Sequence, residues 1–260
     1  MKSKISGLFV LAIMVLATPL RAFVGSDDFN DNSIDPSKWT SITAGGTVQL
    51  REANGTLQCQ DIAGTNSGDN WSALGWIHPF PFTASWKVMV DTSLPSGLIP
   101  LTQGLGWMQL FIGVRNINDT ADSLSMNLER SNENNLELAK FTAGKETNDT
   151  GLFEISSVTT STFASLQIGW DATLQQFNFS YDPDGGQDGF INLGSVGIAD
   201  WNTTTGDTFE VGIGFGSEAV DTNWDSGIYM DNFNAVAEPG SILLCVFGGA
   251  WLIRRTRKKI

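Results

Sequence analysis

Alternation of apolar and polar residues runs through nearly the whole body of this chain, and it leaves little room for anything but β-strands. Apolar residues recur at every second position in Trp86-Val88-Val90, Met108-Leu110-Ile112-Val114, Leu124-Met126-Leu128 and Phe209-Val211-Ile213-Phe215. Side chains two apart share one face of a strand, so each run predicts a strand buried on one side. Gln175 to Tyr181 adds another, with Phe177, Phe179 and Tyr181 on a common face. Turn-rich segments separate the runs, among them Leu94-Pro95-Ser96-Gly97, Asp182-Pro183-Asp184-Gly185-Gly186 and Thr203 to Asp207. That spacing of strands and turns suits an antiparallel sandwich. Asp119 to Phe141 competes as a helix because Glu133 and Glu137 stand at i,i+4. Its leucines and methionine alternate, however, and Asn132-Glu133-Asn134-Asn135 reads as a hairpin loop, so two strands are predicted there.

The ends of the chain break the pattern. Lys2 and Lys4, an apolar core from Ile5 to Leu20, and Leu20-Arg21-Ala22 before Phe23 have the order of an export signal over residues 1–22. At the other end, Glu238-Pro239-Gly240 precedes thirteen residues, Ser241 to Ile253, and then Arg254, Arg255, Arg257, Lys258 and Lys259. Thirteen helical residues span roughly 20 Å against a bilayer core of roughly 30 Å, so this is a marginal span. The basic cluster is expected to stay on the cytoplasmic side and stop translocation.

The tail resembles the PEP-CTERM sorting signal of Gram-negative bacteria: a Pro-Glu-Pro element, a short hydrophobic helix and an Arg-rich end. The matching residues are Glu238, Pro239 and Gly240 at the break and Arg254 and Arg255 at the close, with Ala237 where the family has its first proline. The resemblance implies transient insertion in the inner membrane, processing by an exosortase-type membrane peptidase, and delivery to the cell envelope or outside. An ordinary short C-terminal membrane tail is the competing reading.

Between these ends, residues 23–236 are expected to form one domain. The segment from Phe23 to Ala237 carries seven basic residues against 27 acidic ones, a formal charge of about −20. Such a field disfavours nucleic acid and anionic surfaces and favours cations. Cys245 lies in the tail, which leaves Cys59 as the single thiol of the body and rules out a disulfide within it. The six Asn-x-Ser/Thr sequons, such as Asn54-Gly55-Thr56, matter only in a eukaryotic secretory route.

The opening Asp27-Asp28-Phe29-Asn30-Asp31-Asn32-Ser33-Ile34-Asp35-Pro36-Ser37-Lys38-Trp39 looks like the first strand of concanavalin A-like lectin/glucanase domains. The closing Gly227-Ile228-Tyr229-Met230-Asp231-Asn232-Phe233 looks like their last strand, which typically pairs beside the first. The resemblance implies an all-β jelly-roll sandwich. Phe29, Trp39, Tyr229 and Phe233 are expected core anchors, because each large aromatic removes about 150–250 Å² from water when buried.

Core is also the first reading for the tryptophans. Trp71, Trp76, Trp107, Trp201 and Trp224 are alternatives for stacking on sugar rings, with Trp201 and Trp224, beside turns, preferred. Glucanases of this fold carry Glu-x-Asp-x-x-Glu on one strand, and that pattern does not occur here. The acids that stand out, such as Asp221 and Asp225, sit in expected loops, and His78 has no nucleophile motif around it. No catalytic residue is assigned.

Hard oxygen ligands are abundant, so calcium is the metal the composition encourages. Asp182 to Gly189 begins like a calcium loop but has Leu193 at its twelfth position, and reads more simply as a hairpin loop. The fold resemblance implies instead a structural calcium near the terminal strands, held by Asp231 with Asp27 or Asp28. The sequence therefore predicts an exported, non-enzymatic surface or matrix protein that binds polysaccharide. A divergent glycoside hydrolase or polysaccharide lyase, or a structural biofilm component, are the rivals.

Overall fold

The computed structural model describes residues 24–44, 47–61, 70–99, 106–218, 220 and 222–238. Five strands open the fold: β1 (Gly25–Asp27), β2 (Trp39–Ala44), β3 (Val48–Ala53), β4 (Thr56–Asp61) and β5 (Asn70–Trp76). The middle comprises β6 (Phe80–Pro81), β7 (Trp86–Ser93), β8 (Trp107–Asn116), β9 (Ser123–Glu133), β10 (Leu136–Thr147) and β11 (Thr150–Thr159). The last five are β12 (Phe163–Asp171), β13 (Gln176–Asp182), β14 (Ile191–Gly197), β15 (Thr208–Glu218) and β16 (Tyr229–Ala237).

These strands form two eight-stranded antiparallel sheets. One has the order β14-β13-β12-β7-β16-β4-β3, with β1 also on β16; the other runs β11-β10-β9-β8-β15-β5-β2, with β6 also on β15. The first and last strands pair as the terminal motifs imply, Gly25 opposite Ala235 and Asp27 opposite Phe233. The segment that competed as a helix is a strand pair, β9 with β10, closed by Asn134 and Asn135 at φ 56° and 64°. Two left-handed residues in succession give a turn whose twist matches that of the flanking strands. Asn54-Gly55 closes β3 and β4 in the same way.

The core is the space between the sheets. Met108, Leu110, Ile112 and Val114 enter it from β8, and Phe209, Val211, Ile213 and Phe215 from β15; all are buried. Trp86, Trp170 and Phe177 fill it from the facing sheet, with Trp86 and Phe209 rings 5.9 Å apart at 61°. Phe29, Trp39 and Phe233 are core anchors as expected, but Tyr229 is not: it is half-buried, and Met230 beside it turns inward. The register of β16 slips between Asp231 and Asn234, with Asn232 at φ 50°. The extra residue of this bulge lets Met230 and Phe233, an odd spacing apart, both face the core.

The signal helix expected over residues 1–22 and the apolar helix expected after Gly240 lie outside the described residues, as do Pro239, Gly240, Arg254 and Arg255. Among the described residues the only helical turn is the 3-10 segment Trp224–Ser226, and no helix is long and apolar enough to cross a membrane.

Candidate functional site: an aromatic groove on the second sheet

Residues opposite in parity to the core set line the outer face of β8, β9, β15 and β5, where a groove of about 840 Å³ runs across the strands. β15 runs beside it with outward positions Glu210, Gly212, Gly214, Gly216 and Glu218, of which Glu210 and Gly212 line the groove. The central three have no side chains, which lets flat rings from β8 lie down on the sheet. A Cβ on Gly214 would stand 2.6 Å from Cζ of Phe111 and 2.5 Å from the carbonyl oxygen of Ser72. A Cβ on Gly216 would stand 3.4 Å from the Trp107 ring. Trp107, Phe111 and Trp71 are half-buried and line the groove. The indole Nε1 of Trp107 donates to Glu218 Oε2 at 2.8 Å, which sets the tilt of the ring.

Charged groups flank these rings, and they lie on strands rather than in loops. Arg115 donates to Glu210 at 2.5 Å, and Lys140 lies 3.3 Å from Glu129 and 3.6 Å from Glu133. Burial pushes the Glu129 carboxyl above the ordinary range; Lys140 opposes the shift and the charge of Glu154 adds to it. Asn127 lies between, 8% exposed. Its amide nitrogen donates to Thr142 Oγ1 at 2.9 Å, while its oxygen meets no donor among the described residues.

Of the tryptophans read as alternatives for stacking, Trp71 and Trp107 line this groove, whereas the preferred pair, Trp201 and Trp224, and Trp76 lie elsewhere. Trp201 is buried, its Nε1 donating to the Glu146 carbonyl and its ring packed among Phe177 and Phe209, so it offers no face to a sugar. Trp224 is half-buried, with the guanidinium of Arg51 4.0 Å over its ring. Trp76 belongs to the core, 5.0 Å from Trp39, and His78 rests edge-on against it at 5.7 Å. Asp225 is exposed beside Trp224, and Asp221 lies outside the described residues. Cys59 is buried, and burial pushes its thiol far above the ordinary value, so it stays protonated.

Asp27 stands opposite Phe233 in the pairing of the terminal strands, and the charge of Asp28 acts on Asp231. Asp27 is engaged by the fold, accepting from Trp39 Nε1 at 2.7 Å and from the Phe29 amide at 3.2 Å. Asp28 accepts from the Asn30 side chain. Burial raises the carboxyl of Asp231, the Asn232 amide opposes this, and the charges of Asp91 and Asp28 raise it further. Among the described residues no group of three His, Cys, Asp or Glu side chains is placed to hold a metal ion, so a cation here depends on backbone oxygens. In the hairpin loop after β13, Asp182 is buried and accepts from the amides of Asp184, Asp188 and Gly189 at 3.4, 3.2 and 3.0 Å. Its oxygens organise the loop.

Among solved structures, the chain is similar to GH43B of a Bacteroides ovatus xyloglucan PUL, with 16% identity and a TM-score of 0.51 over 82% of this chain. The match spans only 39% of that protein. A variant of a non-specific endo-β-1,3(4)-glucanase from family GH16 matches over 83% of this chain and 92% of its own, with 12% identity and a TM-score of 0.51. A Saccharomyces cerevisiae protein described as functionally unknown matches over 79% and 99%, with 11% identity and a TM-score of 0.50. At these identities the likeness defines the fold alone, a jelly-roll β-sandwich. No protein-family model matches the sequence, and no curated protein matches it.

Proposed function

We propose that this chain is an exported surface or matrix protein that binds polysaccharide along the groove of its second sheet, and that it is not an enzyme. The observation that carries the reading is the laying of Trp107 and Phe111 on a glycine floor. A flat, half-exposed ring beside hydrogen-bonding side chains matches the amphipathic face of a pyranose: the ring covers the axial C–H groups and polar groups take the hydroxyls. Delivery follows the bracketing signals, with an exosortase-type peptidase acting on the tail, and a structural calcium near Asp28 and Asp231 completes the proposal.

The non-enzymatic part rests on how two of the groove carboxylates are engaged, Glu210 by Arg115 and Glu129 by Lys140. The rival reading, hydrolysis, is favoured by one observation, the raised carboxyl of Glu129, since a glycosidic general acid must stay protonated. Affinity electrophoresis of the protein through gels containing different polysaccharides, with and without calcium, tests binding, and product analysis on the same polysaccharides tests hydrolysis. Retardation without products supports the proposal. Unretarded migration in every gel overturns the binding claim, and release of oligosaccharides that ceases in Glu129→Gln establishes the rival.

A further inference from the structure

The charge of the groove narrows the polysaccharide it takes. Glu129, Glu146, Asp149, Glu154 and Glu210 line it, against Arg115 and Lys145. Arg115 is spent on Glu210, and the Lys145 ammonium turns away to the Gly197 carbonyl at 3.1 Å and to Asp200 at 2.5 Å. Lys140 is shared between Glu129 and Glu133. The acids facing the groove therefore outnumber the bases, on a body already about −20 in formal charge. A uronate or sulfated chain would bring more negative charge onto this wall and be repelled.

Two further features point to a ligand that donates. The oxygen of Asn127, without a donor among the described residues and on a groove-lining side chain 8% exposed, is an acceptor that a bound N–H or O–H would satisfy. The faces of Trp107 and Phe111 attract cations as well as C–H groups. We infer that the groove recognises a polysaccharide bearing free amines, a polymer of amino sugars at least partly unacetylated, its ammonium groups set between Glu154 and Glu129 and its rings on Trp107 and Phe111. This rests on the groove being the polysaccharide site.

The test is calorimetric titration of the full chain in detergent with four hexasaccharides: β-1,4-glucosamine, its N-acetylated form, β-1,3-glucose and galacturonate. The amine hexamer is expected to bind at least about tenfold more tightly than the acetylated one, and raising salt from about 50 to about 500 mM should weaken it several-fold as charges are screened. Trp107→Ala and Glu154→Gln should each reduce that affinity at least about fivefold, while Asp188→Asn with Asp225→Asn, exposed acids outside the groove, should change it less than about twofold. Equal binding of the acetylated or glucose hexamer overturns the inference and leaves the groove reading standing. Amine binding that survives both groove variants shows attraction to the acidic body at large and also overturns it. No binding of any hexamer removes the groove reading together with the inference.

Discussion

Trp107 and Glu218 stand opposite each other in the register of β8 and β15, and the indole nitrogen of the first donates to the carboxylate of the second at 2.8 Å. The bond holds a half-exposed ring in one orientation over Gly216, which is what preorganisation of a stacking platform requires. Glu218→Ala is expected to weaken polysaccharide binding by about three- to tenfold through loss of that orientation, and Trp107→Ala to abolish it. Affinity electrophoresis reads both, and unchanged thermal unfolding of the variants separates binding from folding.

Gly214 carries the neighbouring ring. Because a Cβ there would meet backbone at 2.5 Å as well as Phe111, neither side can simply move aside. Gly214→Ala should cost about 1–3 kcal/mol, as overpacking typically does, and lift Phe111 from the floor. Chemical denaturation measures the loss. A variant as stable as the parent would show that the glycine floor is not needed for the ring.

Lys145 is 6% exposed and rests on Asp200, itself 43% exposed. The Lys145 hydrogen bond is the main cause that holds the Asp200 carboxyl below its ordinary value. A depressed carboxylate adds stability that is present above its unfolded value of about 3.9 and is lost as pH falls through the lower folded value. Asp200→Asn should therefore destabilise at neutral pH by about 1–2 kcal/mol, a modest figure because solvent screens the exposed partner. The difference should vanish in acid, where a pH series of denaturant midpoints checks it.

Asp231 behaves oppositely. Its raised carboxyl costs nothing below the ordinary value, and the cost grows as pH rises through the folded value. Without calcium, Asp231→Asn should raise the unfolding temperature at neutral pH. With millimolar calcium the parent should gain stability and the variant should not. A parent insensitive to calcium and chelator would remove the metal from the proposal.

The sorting proposal bears on the junction with the tail. Glu238 is still held by the body, its amide donating to the Ser85 carbonyl at 3.0 Å and its carboxylate 3.4 Å from Lys87. Mass spectrometry of the mature protein should find its C-terminus near Glu238-Pro239, and an intact Arg254-Arg255 end on the surface protein would contradict processing.

The strands were legible because one face is buried and the alternation is unbroken; β8 and β15 can be read directly from their core residues. The hairpin between β9 and β10 was legible from its asparagines. Asn54-Gly55 is an equally strong hairpin signal that the sequon pattern obscured. The inward turn of Met230 was hidden by a bulge, which shifts parity without a composition cue. Trp71 and Trp107 were among the stacking candidates, but the groove that joins them was not read although its signal was present. If Met108, Leu110 and Ile112 face the core, then Trp107 and Phe111 face outward, and the Gly212, Gly214 and Gly216 alternation marks where they lie. Proximity to turns favoured Trp201 instead, and nothing local reveals that Trp201 folds back over Phe177 and Phe209.

The central claim is that polysaccharide sits on the aromatic rings of the second sheet, and indole N–H resonances report it residue by residue. Titration with the polysaccharide that retards the protein should shift the signals of Trp107 and Trp71 and leave those of Trp201 and Trp224 in place. Shifts confined to Trp224, or no indole shift at saturating ligand, would contradict the groove as the binding site.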